Sequence, residues 1–523
     1  MSEAAEKMPK RFHLNRDYHR AMLSGGYGGA AANTTKNATI GWFADGGSPA
    51  EDIDNNTQIM RQRARDLDAS GGLARSANIT MTTNVVSTGL VPKPKPDVKF
   101  LGMTEEAASE WIENCKREWE LWAGKKTCSA DLQADFSQLQ ELAMHSQFLS
   151  GDCFALLPMF EAPGTPYQTH IRLLEADRVG TPDSFGGNNV KELQGGAKII
   201  DGVEVDNQGI VVAFHIADRH PLSSNAGTIK YTKVEAYGKD TGMPNVLHMV
   251  KYERPEQRRG VPLVAAMIVT LKQLTRYTEA ELMANVIKAM FTVFIQQSGD
   301  NPGMPEGLED VVGESDKVTQ KDEKLEMAPG AILQLRPGET VNTANPMGPN
   351  ANYEKYFDSM CMLIASSFGI PKSILLKKFE SNYTAARGEL LEFWKEIKLW
   401  RVGLVRDFCQ PSYEAWMAEA VATGRIEAPG FFDDPAIRAA WCRAQWQGST
   451  MGSIDPKKEA EAAVIKINNS LSTAEREAAE INGSDVFENM EQRKREIARV
   501  PVPVVAQQPA QGNTKGEGEE EDE

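Results

Sequence analysis

From Val261 onward the apolar residues change to a helical beat. Val264, Met267, Ile268, Leu271, Leu274, Leu282, Val286 and Met290 fall three or four apart. That spacing predicts a helix of roughly 28 residues, a rod of about 40 Å at about 1.5 Å per residue. The residues before it read as strands, and the chain returns to short strands after it. The fold class expected is therefore α+β, with long helices set between β-rich parts. The rod is not expected to cross a membrane. Its apolar run from Val261 to Leu271 stops at Lys272, well short of the ~20 residues a span needs.

Residues 1–57, around SGGYGGAAANTTKN, are rich in small and polar residues. They offer little to pack and are expected to form an arm, partly disordered. Helical patterns begin near Thr57, where Arg61, Arg63 and Arg65 alternate. A further helix carries Ala108, Trp111, Ile112, Cys115, Trp119 and Trp122 on one face. Thr104 stands at its N-cap position, with Glu105 and Glu106 in the first turn. The Trp stripe could line a ligand cage; a helix–sheet core is the plainer reading. Another helix is expected from Phe136 to Leu149.

Residues 150–250 read as β. Cys153 to Met159 is an apolar run. Thr169 to Leu173 alternates, with Ile171 and Leu173 on one face and His170 and Arg172 on the other. Val203–Val205 and Ile210–Ile216 flank a turn at Asp206–Gly209 and read as a hairpin. Beyond the rod come FTVFIQQ and AILQLRPGETV, two short strands around a polar acidic loop. A helix from Asn352 to Ser367 and the loop FGIPKSILLKKFESN follow. A long helix from Thr384 to Thr423 should bend or break at Gly403 and Pro411. Asp433 and Asp434 precede Pro435 as a helix start. Ser472 with Glu475 suggests a capping box, and Ser484-Asp485 opens another helix. From Pro501 the tail turns Pro/Gln-rich and then acidic, and disorder is expected there.

Charge and missing motifs narrow the function. The net charge is −16, and residues 515–523 alone hold one Lys and six acids. A protein gripping DNA over its whole surface would be basic, because phosphate neutralisation drives that affinity. Six scattered cysteines without a Cys-x-x-Cys read as packed thiols in a reducing compartment. Gly124-Lys125-Lys126-Thr127 lacks the upstream glycine of a P-loop, and Gly46-Gly47-Ser48-Pro49-Ala50 fails as a nucleophile elbow. Gly26-Tyr27-Gly28-Gly29-Ala30-Ala31 fits a nucleotide fingerprint only formally, with no strand before it. His215 and His220 straddle a strand end and do not suggest joint metal ligation. No enzyme activity, catalytic residue, metal or cofactor is expected.

Several strings in this order resemble the lambda-type family of tailed-phage portal proteins, the head-to-tail connectors. They are RQRARDLDASGGLARSANITMTTNVVSTGLVPKP at 61–94, IRLLEADRVGTP at 171–182 and DGVEVDNQGIVVAFHI at 201–216. LHMVKYERPEQRRGVPLVAAMI at 247–268, RYTEAELMANVIKAMF at 276–291 and SSFGIPKSILLKKFESNYTAARGELLEFWK at 366–395 follow. The resemblance spans roughly residues 55–495. It implies a homo-oligomeric ring, usually of twelve subunits, at one vertex of the capsid in the virion. A separate terminase drives double-stranded DNA through its channel, and the ring later anchors head-completion and tail proteins. Major capsid and scaffold proteins are further implied partners, with assembly in the host cytoplasm.

The resemblance also implies a division of the chain. Residues 1–57 would be an arm and 58–255 a β-rich wing. Residues 256–291 and 348–369 would be the two stem helices, with a small α/β clip at 292–347 between them. Residues 370–383 would be the tunnel loop, 384–431 the long wing helix, 432–498 a helical crown and 499–523 the acidic tail. Terminase would dock on the clip rim, where GLEDVVGESDK is a candidate contact and a solvated loop the alternative. Gly369 and Pro371 are the expected hinge of the tunnel loop. Lys372, Lys377 and Lys378 are its candidate DNA-channel residues, set among Ile374, Leu375, Leu376 and Phe379. The alternatives for these lysines are an inter-subunit ion pair or a stem surface. Two other readings of the whole chain stand beside the conduit: a packaging enzyme, and a minor capsid or adaptor protein that does not pass DNA.

Overall fold

Several helices begin where a short polar side chain supplies a missing backbone acceptor. Asp135 accepts from the Gln138 N–H at 2.9 Å while Gln138 returns a bond to the Asp135 N–H, opening helix α4 (Phe136–Ser150). Thr104 caps α3 (Glu105–Ala123) through the Ala107 N–H, as its position predicts. Asp434 caps α10 (Pro435–Trp441) through the Ala436 N–H at 2.7 Å. The computed structural model describes residues 46–182, 189–224, 228–289, 293–297, 339–343, 352–379, 383–452 and 455–499.

Helices α1 (Thr57–Ser70) and α2 (Gly72–Val85) lead into β1 (Val91–Pro94), then α3 and α4. Strands β2 (Asp152–Leu156), β3 (Arg172–Glu175) and β9 (Val246–Val250) form an antiparallel sheet with β2 in the middle. Strands β4 (Val190–Glu192), β5 (Lys198–Ile200), β6 (Val203–Val205), β7 (Val211–Ala217) and β8 (Tyr231–Glu235) form an antiparallel meander. The expected hairpin is its β6–β7 pair, with a register shift at Glu204/Val205. Helix α5 (Ile268–Ala289) follows, then the paired strands β10 (Val293–Gln297) and β11 (Glu339–Thr343). Then come α6 (Tyr353–Ser367), the short α7 (Lys372–Leu375), α8 (Tyr383–Leu404), α9 (Gln410–Ala422) and α10. Strand β12 (Ala444–Gln447) pairs with β1, and α11 (Pro456–Asn468), α12 (Ala474–Ile481) and α13 (Val486–Arg499) end the described chain.

Two apolar cores result. In one, Trp119 meets Phe136, Tyr413 and Trp416 at ring separations of 5.1–5.3 Å, with Trp446 at 6.0 Å. The Trp stripe thus packs mainly on helices α4 and α9 rather than on a sheet. The other core lies between the sheets, with Phe154, Leu174, Val203, Val205, Phe214 and Ile216.

Two expectations need correcting, the start of α5 and the Ser472 capping box. Helix α5 starts at Ile268; a 3-10 turn at Ala265–Met267 precedes it, and the Leu263 N–H bonds the Phe148 carbonyl at 2.9 Å, tying that segment to α4. Within the expected arm, Ala50–Asp54 forms a π-helical turn with Ile53 and Asp54 buried. Thr473, not Ser472, caps α12, and Glu475 turns to Lys93 instead of closing a capping box. His170 is buried against Phe160, with both ring nitrogens on backbone carbonyls. The long helix is interrupted between Gly403 and Pro411 as expected, by a π-helical turn at Val405–Cys409. Most of AILQLRPGETV, all of GLEDVVGESDK, residues 1–45 and the acidic tail lie outside the described residues.

Candidate DNA-facing loop

Two successive helix stops shape the loop after α6. At the first, the Ile370 N–H reaches back to the Ala365 carbonyl at 3.0 Å and the Gly369 N–H to Ser366 at 3.3 Å. This pairing needs a left-handed residue between them, and Gly369 supplies it at φ 67°. Ile370 is buried, and Pro371 is extended at φ −57°, ψ 140°, heading α7.

The second stop repeats the pattern one turn later. The Lys378 N–H bonds the Ser373 carbonyl at 3.0 Å and the Lys377 N–H bonds Ile374 at 3.3 Å. Here the left-handed position is Lys377 itself, at φ 53°. A lysine thus occupies the place where glycine is favoured, at a cost of about 1–2 kcal/mol. Lys377, Lys378 and Phe379 are exposed, Phe379 by 70%.

The first half of the expected loop is therefore not open. Leu375 is buried, and its carbonyl accepts from the Ser76 hydroxyl of α2 at 2.8 Å. Ser373 donates to the Glu389 carboxylate of α8. Lys372 lies back on α6, its Nζ 2.7 Å from both Asp358 oxygens. Lys372 is committed to an intrachain carboxylate; Lys377 and Lys378 follow the anchored turn with exposed side chains. Residues 380–382 lie outside the described chain.

A buried ion network joins the sheets to the segment leading into α5. Arg259 donates to both Asp152 oxygens at 2.7 and 3.3 Å, and to the carbonyls of Ala176, Val179 and Asp201. Arg61 of α1 donates to the Ser150 carbonyl and to Asp152. Burial alone would raise the Asp152 carboxyl, but the Arg259 and Arg61 guanidiniums override it and hold it far below the usual range. Burial pushes Asp54 up to about 6, with Asp201 adding repulsion and the Arg259 N–H opposing. The other Asp54 oxygen has no hydrogen-bond partner. Two glycines make room for the joint: a Cβ on Gly260 would fall 1.9 Å from the Gly151 carbonyl oxygen. Sequence reasoning missed this network. Its only local trace is the Arg258-Arg259-Gly260 string before the rod.

The rod itself is half covered. Leu271 and Leu274 are buried, but Val269, Leu282 and Met283 are 58–70% exposed. Tyr356, Met362 and Leu363 of α6 and Leu399 and Val402 of α8 are also exposed.

The family profile of phage portal proteins, lambda family, matches residues 35–401. The chain belongs to that family. The match runs from upstream of α1 nearly to the end of α8, so it includes both the ion network and the double-stopped loop. It begins well before the first resembling string at residue 61. The portal protein of Escherichia phage N15 is 23% identical over 498 residues, covering 90% of this chain and 89% of its own length. Portal protein B of Escherichia phage lambda is 22% identical over 475 residues, covering 86% of each. Among solved structures, a chain in the virion of a native gene transfer agent particle is 12% identical, with a TM-score of 0.39 over 81% of this chain and 92% of its own. An HK97-family phage portal protein from Corynebacterium diphtheriae is 12% identical, with a TM-score of 0.30 over 64% and 85%.

Proposed function

We propose that this portal-family chain forms a ring of about a dozen subunits at one capsid vertex and conducts double-stranded DNA during packaging and ejection. The observation that carries this reading is the lambda-family match over residues 35–401, with relatives aligned along 86–90% of the chain. The exposed apolar side chains of α5, α6 and α8 support it. A lone subunit leaves them in water, and neighbouring copies would cover them.

In this reading α5 and α6 are stem helices, the β10–β11 pair belongs to the clip and α11–α13 to the crown. The ring works by geometry and carries out no reaction. Terminase docks on the clip rim, capsid and scaffold proteins hold the ring in the shell, and head-completion and tail proteins attach after filling. Assembly takes place in the host cytoplasm and the finished ring stays in the virion. A non-conducting adaptor is the less favoured reading, since the curated relatives are named as portal proteins.

Lys377 and Lys378 face the passing duplex, and Lys372 is a strut. Sparse cations in a ring of subunits with net charge −16 each touch phosphates without gripping them, because each phosphate contact adds affinity. The test is single-molecule packaging with Lys377→Ala/Lys378→Ala. Altered velocity, slippage or retention is expected. Unchanged values on all three would remove these lysines from the mechanism.

A further inference from the structure

Helices α11–α13 contribute to neither apolar core: among the described residues, none of their apolar side chains joins either one. Val464, Ile465, Phe487, Met490 and Ile497 stay exposed. Beside one hydrogen bond from the Thr450 hydroxyl to the Ile481 carbonyl, the described side-chain contacts that cross to the body include a set of ion pairs. Lys93 of β1 lies 2.8 Å from both Glu475 and Asp485. Lys116 of α3 lies 2.5 Å from Glu488 and 3.7 Å from Asp485. Arg387 of α8 lies 2.7 Å from Glu459. Among these described pairs, every cation is on the body and every carboxylate is on the C-terminal helices. Asp485 sits between two ammonium groups and is only 10% exposed.

We infer that α11–α13 form a releasable unit, held on the body by a one-sided electrostatic latch of Lys93, Lys116 and Arg387 against four carboxylates. Such partly exposed pairs are worth about 0–1 kcal/mol each, and salt screens them. A docking surface built from buried apolar area would not respond in that way. Release exposes no core, so the body keeps its fold while the C-terminal unit swings away. Helices this short are marginal once undocked, so release shows as loss of amide protection. The inference rests on the ion pairs and not on the portal reading.

Asp485 allows a clean test. It also caps α13, accepting the Phe487 N–H at 2.9 Å. Asparagine caps as well as aspartate, so Asp485→Asn removes the charge and keeps the helix start. Hydrogen–deuterium exchange of the full chain is followed at about 50 mM and about 500 mM sodium chloride. Exchange across α11–α13 is expected to rise about tenfold with salt, while α3 and α4 stay protected. Asp485→Asn, and separately Lys93→Gln/Lys116→Gln, should bring the high-salt pattern to low salt. Exchange that ignores both salt and these variants, or that rises equally in α3 and α4, overturns the latch.

Discussion

Asp54 and Arg259 show opposite uses of a buried charge. The Asp54 carboxyl goes from 3.8 to about 6 on folding, because burial outweighs its bond from the Arg259 N–H. Over that window the unfolded chain is already ionised while the folded chain keeps its proton, so stability falls as pH rises from about 4 to 6. Above 6 the penalty is complete, at about 3 kcal/mol. Asp54→Asn should therefore stabilise the protein by about 1–3 kcal/mol at pH 7 and by little near pH 4. Urea unfolding of both proteins at the two pH values checks this; an equal gain at both would refute it. Arg259 works the other way, since its fork is filled by Asp152 and three carbonyls. Lysine cannot reproduce five directed bonds. Arg259→Lys should cost about 3–5 kcal/mol in the same assay despite keeping the charge. A loss under about 1 kcal/mol would mean that the carbonyls find other donors.

At the scale of elements, the pieces legible in the sequence are those that local chemistry specifies. Thr104 before two glutamates, Asp434 before Pro435 and Asp485 after Ser484 all open helices as read. Gly369 and Pro371 mark the end of α6 because glycine and proline carry their backbone preference with them. The second stop was not legible, since Lys377 adopts a left-handed conformation that its residue type does not advertise. Lys372 could not be told from its neighbours either: its partner Asp358 is brought alongside only after the chain reverses at Gly369. The start of α5 was misread because the apolar beat already runs through Val264 and Met267, where the chain makes a 3-10 turn before the α-helix begins. Lys377→Gly separates structure from function at this element. It should raise stability slightly, by about 0.5–1 kcal/mol, while removing one cation from the exposed tip. Thermal unfolding checks the first part and DNA retention in packaged heads checks the second. A destabilised variant would show that the lysine stem contributes packing there.

At the scale of the whole molecule, the apolar stripe of the rod ties the account together. Its first half, at Leu271 and Leu274, is satisfied within the chain, and its second half, at Leu282 and Met283, is not. In the proposed ring, neighbouring copies would cover that second half, on helices that already satisfy their own backbone bonds. The net charge of −16 suits that assembly, because a strongly basic channel would hold DNA rather than let it slide. In the proposed ring, copies of this chain close around an axial hole wide enough for duplex DNA. Electron microscopy of the purified full chain with class averaging is the test. Annular particles of about a dozen subunits with an open centre are expected, and monomers or solid particles under every assembly condition would contradict the ring.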